Sequence, residues 1–145
     1  MAASKPQWQI EEHIHEAKRN YERYLLMLQN EDNVSWATVF LFYSAIHLIQ
    51  SYARRDTPTD IPSNHESRRN YVAYYLPENI AANYMELDDV SKLVRYNLRR
   101  KSPRDVRTLH DDHFSKIRKH FREELSTSWT SPNTLTISPI EVENK

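Results

Sequence analysis

The apolar positions divide the chain into helical stretches followed by a tail. The most apolar stretch is Ser35 to Ala53, SWATVFLFYSAIHLIQSYA. In it Val39, Phe40, Leu41, Phe42, Ala45, Ile46, Leu48 and Ile49 cover nearly the whole circumference of a 3.6-residue helix. A helix apolar on several sides is enclosed on several sides, so this segment is expected at the centre of a bundle. Ser44, His47 and Ser51 interrupt it at i, i+3 and i+7, a narrow polar line that needs partners. That line is either a seam inside the bundle or a surface facing a partner. The apolar-dominated run is about 14 residues, short of the roughly 20 that a bilayer span requires, and it reads as soluble core.

The flanking segments read as helices packed on this one. Ile10, Ile14, Ala17, Tyr21, Leu25 and Leu28 recur at helical spacing between Pro6 and Gln29, with Glu11, Glu12, Lys18, Arg19 and Arg23 opposite. The polar turn Asn30-Glu31-Asp32-Asn33 leads to Ser35 as the expected N-cap, which makes the first two helices antiparallel neighbours. Asn30 stands where a C-capping glycine would otherwise be. After a Pro58/Pro62 loop, Ser63 to Glu66 has capping-box spacing and opens a short helix ending near Leu76-Pro77. A weaker pattern follows from Glu78 to Asn97 (Ile80, Tyr84, Leu87, Leu93, Val94), with a break expected near Asp88-Asp89. Ser102-Pro103-Arg104-Asp105 combines a capping serine, proline at the first helical position and a reciprocal acid. The helix it starts should run to Leu125 with Val106, Leu109, Phe114, Ile117, Phe121 and Leu125 inward. The expected product is an all-α up-and-down bundle of four to five helices over residues 1–126. Residues 127–145 form an irregular C-terminal tail, with one short strand expected at Thr134 to Ser138.

Composition narrows the chemistry. The 145 residues suit one domain with a real core. Lys and Arg balance Asp and Glu at 20 each, so any affinity for nucleic acid must come from how charge is distributed. There is no cysteine, which removes disulfides, thiolate nucleophiles, iron–sulfur clusters and thiolate zinc sites. There is no glycine, which removes phosphate-cradling loops and the nucleophile elbow. The N-terminal MAASKPQWQIEEH has no apolar signal region, so the expected compartment is the cytoplasm and no membrane partner is expected.

Charge concentrates between Lys92 and Arg107, where Lys92, Arg95, Arg99, Arg100, Lys101, Arg104 and Arg107 face one acid, Asp105. Arginine forks match phosphate oxygens and a helix start adds partial positive charge, so the segment is a candidate RNA-backbone site with Tyr96 placed to stack a base. Charge alone fits a solvated basic loop better. His65 and Arg68, one turn apart, either line the same phosphate groove or anchor the Arg54–Pro62 loop. His110 and His113 fall within the apolar stripe of the last helix, where a histidine is either a satisfied core residue or part of an interface. His110-Asp111-Asp112-His113 has two metal-type ligands one turn apart, but no second motif completes a site, and no metal or other cofactor is expected. His13-Ile14-His15, beside Glu12 and Glu16, reads as a solvated helix face.

Arg104-Asp105-Val106-Arg107-Thr108-Leu109-His110, at the start of the last long helix, resembles the motif of the HEPN superfamily: an Arg, four to six residues, then His, often with Asn, Asp or His after the Arg. Phe42 to Ala53, His65-Glu66-Ser67-Arg68, and Tyr84 with Leu87, Ser91 and Arg95-Tyr96 also look like a HEPN-like subgroup, so the resemblance covers roughly Ser35 to Leu125. Arg107 to His113 repeats the spacing and offers His113 as the alternative catalytic residue. The resemblance implies a homodimer whose motifs meet across a two-fold axis and cleave RNA without metal, Arg104 stabilising charge on phosphorus and His110 transferring the proton. Arg95, Tyr96, Arg99, Arg100, Lys101, Arg107, His65 and Arg68 would hold the substrate. A toxin or defence role, with an antitoxin or sensor protein as partner, is implied in the same way. On an ideal helix residues six apart lie about 120° around and about 9 Å along the axis, so Arg104 would have to serve the partner's His110. The alternative is a non-catalytic helical module that binds RNA, a nucleotide or a partner protein.

Overall fold

The computed structural model describes residues 4–97 and 99–125, and among these it contains helices and no strand. The elements are α1 (Ser4–Leu28), a 3₁₀ turn (Val34–Trp36), α2 (Ala37–Asp56), α3 (His65–Tyr75), α4 (Glu78–Asn97), α5 (Pro103–Leu109), a π turn (His110–Phe114) and α6 (Ser115–Glu124). The chain is an all-α bundle built around α2, as the apolar pattern predicts. Val39, Leu41, Phe42, Ala45, Leu48, Ile49 and Ala53 are all buried, and α1, α4, α5 and α6 pack around them. Each Val, Leu, Ile or Phe side chain among them stabilises the fold by about 1.5–3 kcal/mol on leaving water, before entropy is counted. The helical span from Val34 to Asp56 is longer than the apolar run suggested, and by length and composition it would cross a membrane. However, 72% of its apolar window is buried inside the bundle, as a core helix would be.

The polar line on α2 is an internal seam. Ser44 Oγ donates to the Ala17 carbonyl at 2.7 Å and Ser51 Oγ to the Ile10 carbonyl at 2.9 Å, while His47 meets His13. Partners fall along α1 as they rise along α2, so the two helices are antiparallel. Small residues at these points, with Ala17 and Ala45 fully buried, let the backbones approach closely enough for a hydroxyl to span them. His13 is therefore not on a solvated face, although its neighbour His15 is exposed.

Four local expectations shift. Ser35 does not cap α2: it lies in the 3₁₀ turn, and its Oγ accepts from the Lys101 backbone N–H at 2.7 Å, tying the start of α2 to the loop before α5. The N-cap of α3 is Asn64, with Ser67 as its reciprocal partner, one residue later than a Ser63–Glu66 box. Asn30 forms an Asx turn, its Oδ1 accepting from the Asp32 N–H. No break occurs at Asp88-Asp89: α4 is continuous, and Asp88 is fully buried against cations.

The last helix starts on the expected Ser102–Asp105 capping box. Val106, Leu109, Phe114, Ile117, Phe121 and Leu125 are all buried, yet Leu109 and Phe114 are five apart, which on an α-helix would place them on different faces. The π turn widens the helix by one residue between them and restores the stripe. The expected strand at Thr134 to Ser138 lies outside the described residues.

Candidate functional site

His110 sits on the π turn in an aromatic cage. Its ring stacks on Tyr24 at 5.4 Å and 6°, and lies 5.6 Å from Tyr21 and 5.7 Å from Phe114. Both ring nitrogens are engaged within the protomer: Nε2 with the Tyr21 hydroxyl and Nδ1 with Asp111 Oδ1, each at 2.8 Å. Burial lowers its pKa, and the Asp111 carboxylate partly opposes this. Arg104 is exposed on α5 and, among the described residues, has no hydrogen bond or ion pair; it does not meet His110 within one chain. Arg107 is exposed likewise. His113 does not join them either, because its Nδ1 meets Asn83 Oδ1 on α4 at 2.8 Å. No group of three or more metal-type ligands forms among the described residues.

The basic segment is divided between two surfaces. Arg99 and Arg100 line a cleft of about 230 Å³ with Asp32, Ser35, Trp36 and Val94. Trp36 is 42% exposed, so an aromatic residue, two arginines and one aspartate border the same cleft. Lys101 instead borders a groove with Thr38, Glu86, Val90, Asp105, Thr108, Leu109 and His113, which is acidic as well as basic. Tyr96 is exposed, and Arg95 lies 4.8 Å from its ring centre while donating to its hydroxyl at 3.2 Å.

The other candidates, His65, Arg68 and Arg95, converge elsewhere, around the buried ring of Phe42. His65 stacks on Phe42 at 6.0 Å and 18°, Arg95 lies over it at 5.5 Å, and Tyr84 packs against it at 5.6 Å. Arg68 Nη1 reaches His65 Nδ1 at 3.3 Å. His65 and Arg68 are therefore in contact, and Arg95 from α4 packs on the same Phe42 ring. Asp88, Arg69, Tyr84 and Trp36 were not among the sequence candidates. Asp88 and Arg69 come from separate helices, so local spacing carries no sign of their pairing. Trp36 had a signal, an aromatic residue at the mouth of a polar turn, that its place in the apolar run concealed.

The chain matches no family model, no curated protein and no solved structure.

Proposed function

We propose that this protein is a helical module that binds single-stranded RNA through the cleft of Trp36, Arg99 and Arg100. The observation that carries this reading is that the exposed Trp36 and two arginines border one cleft. A base can stack on the ring while the arginine forks take the flanking phosphates. Neutral net charge is compatible with this, since Arg99 and Arg100 both border the cleft against one acid, Asp32. Fluorescence anisotropy with a labelled oligoribonucleotide tests it. Trp36→Ala removes a stacking contact worth about 1–3 kcal/mol and should weaken binding by about 5- to 150-fold, with helicity unchanged. Equal affinity in the variant would refute the reading.

A second reading, metal-independent endoribonuclease chemistry of the HEPN kind, is favoured by one observation: Asp111 holds Nδ1 of His110, as an orienting carboxylate does for a general base. It requires a homodimer that brings Arg104 of one protomer to the His110 of its partner, and release of His110 Nε2 from Tyr21. In that case Arg104→Ala and His110→Ala each cost about 10²–10⁴-fold in cleavage, and chelators have no effect. The binding reading is preferred because His110 is already satisfied on both nitrogens.

A further inference from the structure

The cluster around Phe42 has more positive charge than its own carboxylates answer. Arg68 is 9% exposed, and among the described residues no carboxylate pairs with it. The Arg95 side chain is 10% exposed and its Nη2 stands 4.0 Å from Asp88 Oδ1, an oxygen with no hydrogen bond of its own, while Arg69 in a close contact and Lys92 at 3.8 Å approach the other oxygen, Oδ2. One buried carboxylate thus faces three cations, while a fourth cation, Arg68, has none. Asp89 adds a charge, but on the outer side of Arg69 at 3.4 Å and 60% exposed.

Two guanidinium donors in this cluster, Arg68 Nε and Arg95 Nη2, are buried without a hydrogen-bond partner, and a third donor, the buried Tyr84 hydroxyl, has the Arg68 guanidinium as its neighbour. Burying an unmatched guanidinium N–H costs more than burying a neutral donor, so such groups persist where something answers them. His65 supplies a fourth donor. Its Nδ1 faces an Arg68 N–H and must accept, which leaves the proton of the neutral ring on Nε2. His65 is exposed at the start of α3, and the Lys92 side chain is 44% exposed, so the cluster opens to solvent along these two residues. Desolvation and then Arg68, Arg95 and Lys92 hold the His65 pKa down, with the Asp88 carboxylate partly opposing them.

We propose that the cluster of His65, Arg68, Tyr84 and Arg95, with Lys92 at its rim, binds a phosphate monoester or inorganic phosphate. A tetrahedral oxyanion presents several acceptors at the spacing of converging guanidinium donors, and its charge balances the surplus cations. The site stands whether or not the Trp36 cleft binds RNA.

The test is a titration of the full chain with inorganic phosphate, followed by the ring signals of His65 in carbon-resolved NMR and by thermal unfolding. Phosphate should shift His65 saturably, raise its pKa and raise the unfolding temperature. Arg95→Gln should weaken phosphate binding about tenfold or more. Should that variant fail to fold, His65→Gln and Lys92→Gln, both at the rim, should each reduce the thermal response. Arg99→Ala with Arg100→Ala should leave it intact, which separates this site from the RNA cleft. Oligoribonucleotides of one sequence with 5′-phosphate or 5′-hydroxyl ends then identify the source. Preference for the phosphorylated end assigns the site to an RNA terminus, and equal binding assigns it to free phosphate. The proposal is overturned if neither inorganic phosphate nor a 5′-phosphate perturbs His65, or if the rim variants respond as wild type does.

Discussion

The Tyr21 hydroxyl lies 2.8 Å from Nε2 of His110, and this contact joins α1 to the π turn of the last helix. With Tyr24 stacked on the same imidazole and Phe114 tilted against it, His110 is in place as a packing residue. His110→Ala should cost about 2–4 kcal/mol of stability by leaving a cavity, and Tyr21→Phe about 1 kcal/mol by deleting the hydrogen bond. Urea unfolding measures both. RNA affinity should be unchanged in each variant. A His110→Ala protein as stable as wild type but unable to cleave RNA would instead favour the nuclease reading.

His13 and His47 are stacked at 5.1 Å with their Nδ1 atoms 2.9 Å apart, so one ring donates and the other accepts, and both are neutral. Burial lowers both pKa values, that of His13 to about 4, with the Arg54 guanidinium adding to the effect at each. Because the folded values lie below those of the unfolded chain, the unfolded state binds protons first as pH falls. Stability that is complete above about pH 6.5 should decline as pH drops toward 4. Urea midpoints at pH 7, 6 and 5 should fall more steeply for wild type than for His13→Gln. Parallel profiles would show that the pair does not titrate with folding.

Asp88 has no exposed side-chain surface, and its carboxylate is shared by Arg69, Lys92 and Arg95. Asp88→Asn leaves those cations without their one buried counter-charge and should cost about 3–5 kcal/mol, as breaking a buried ion pair does. Asp89→Asn, at an exposed position, should cost less than about 1 kcal/mol. Denaturant unfolding of the two variants side by side gives the comparison, and equal losses would contradict the assignment of Asp88 as the central charge.

These cases mark what the sequence could carry. The apolar circumference of α2, the Ser102–Asp105 box and the stripe from Val106 to Leu125 are local patterns with local causes, and each has its counterpart in the fold. The π turn was written in the five-residue step from Leu109 to Phe114, although an α-helical template absorbs such a step unnoticed. Asp88 was misread as a break because two adjacent acids look solvated until Arg69, from another helix, is brought against them. Ser35 and His13 were misplaced for the same reason: their partners, Lys101 and His47, lie 66 and 34 residues away. Within the candidate site, the Arg99–Lys101 charges were evident from composition, whereas the joining of Arg99 and Arg100 with Trp36 depends on how the 3₁₀ turn meets the end of α4.

The most direct test of RNA binding at the Trp36 cleft is the salt dependence of affinity for a single-stranded oligoribonucleotide, measured on wild type and on Arg99→Ala with Arg100→Ala. Each phosphate contact on a single strand contributes about 0.7 to the slope of log affinity against log salt. The double variant should therefore bind more weakly and lose about 1.4 of that slope, with unchanged helicity. Wild-type affinity and an unaltered slope in the double variant would contradict the account.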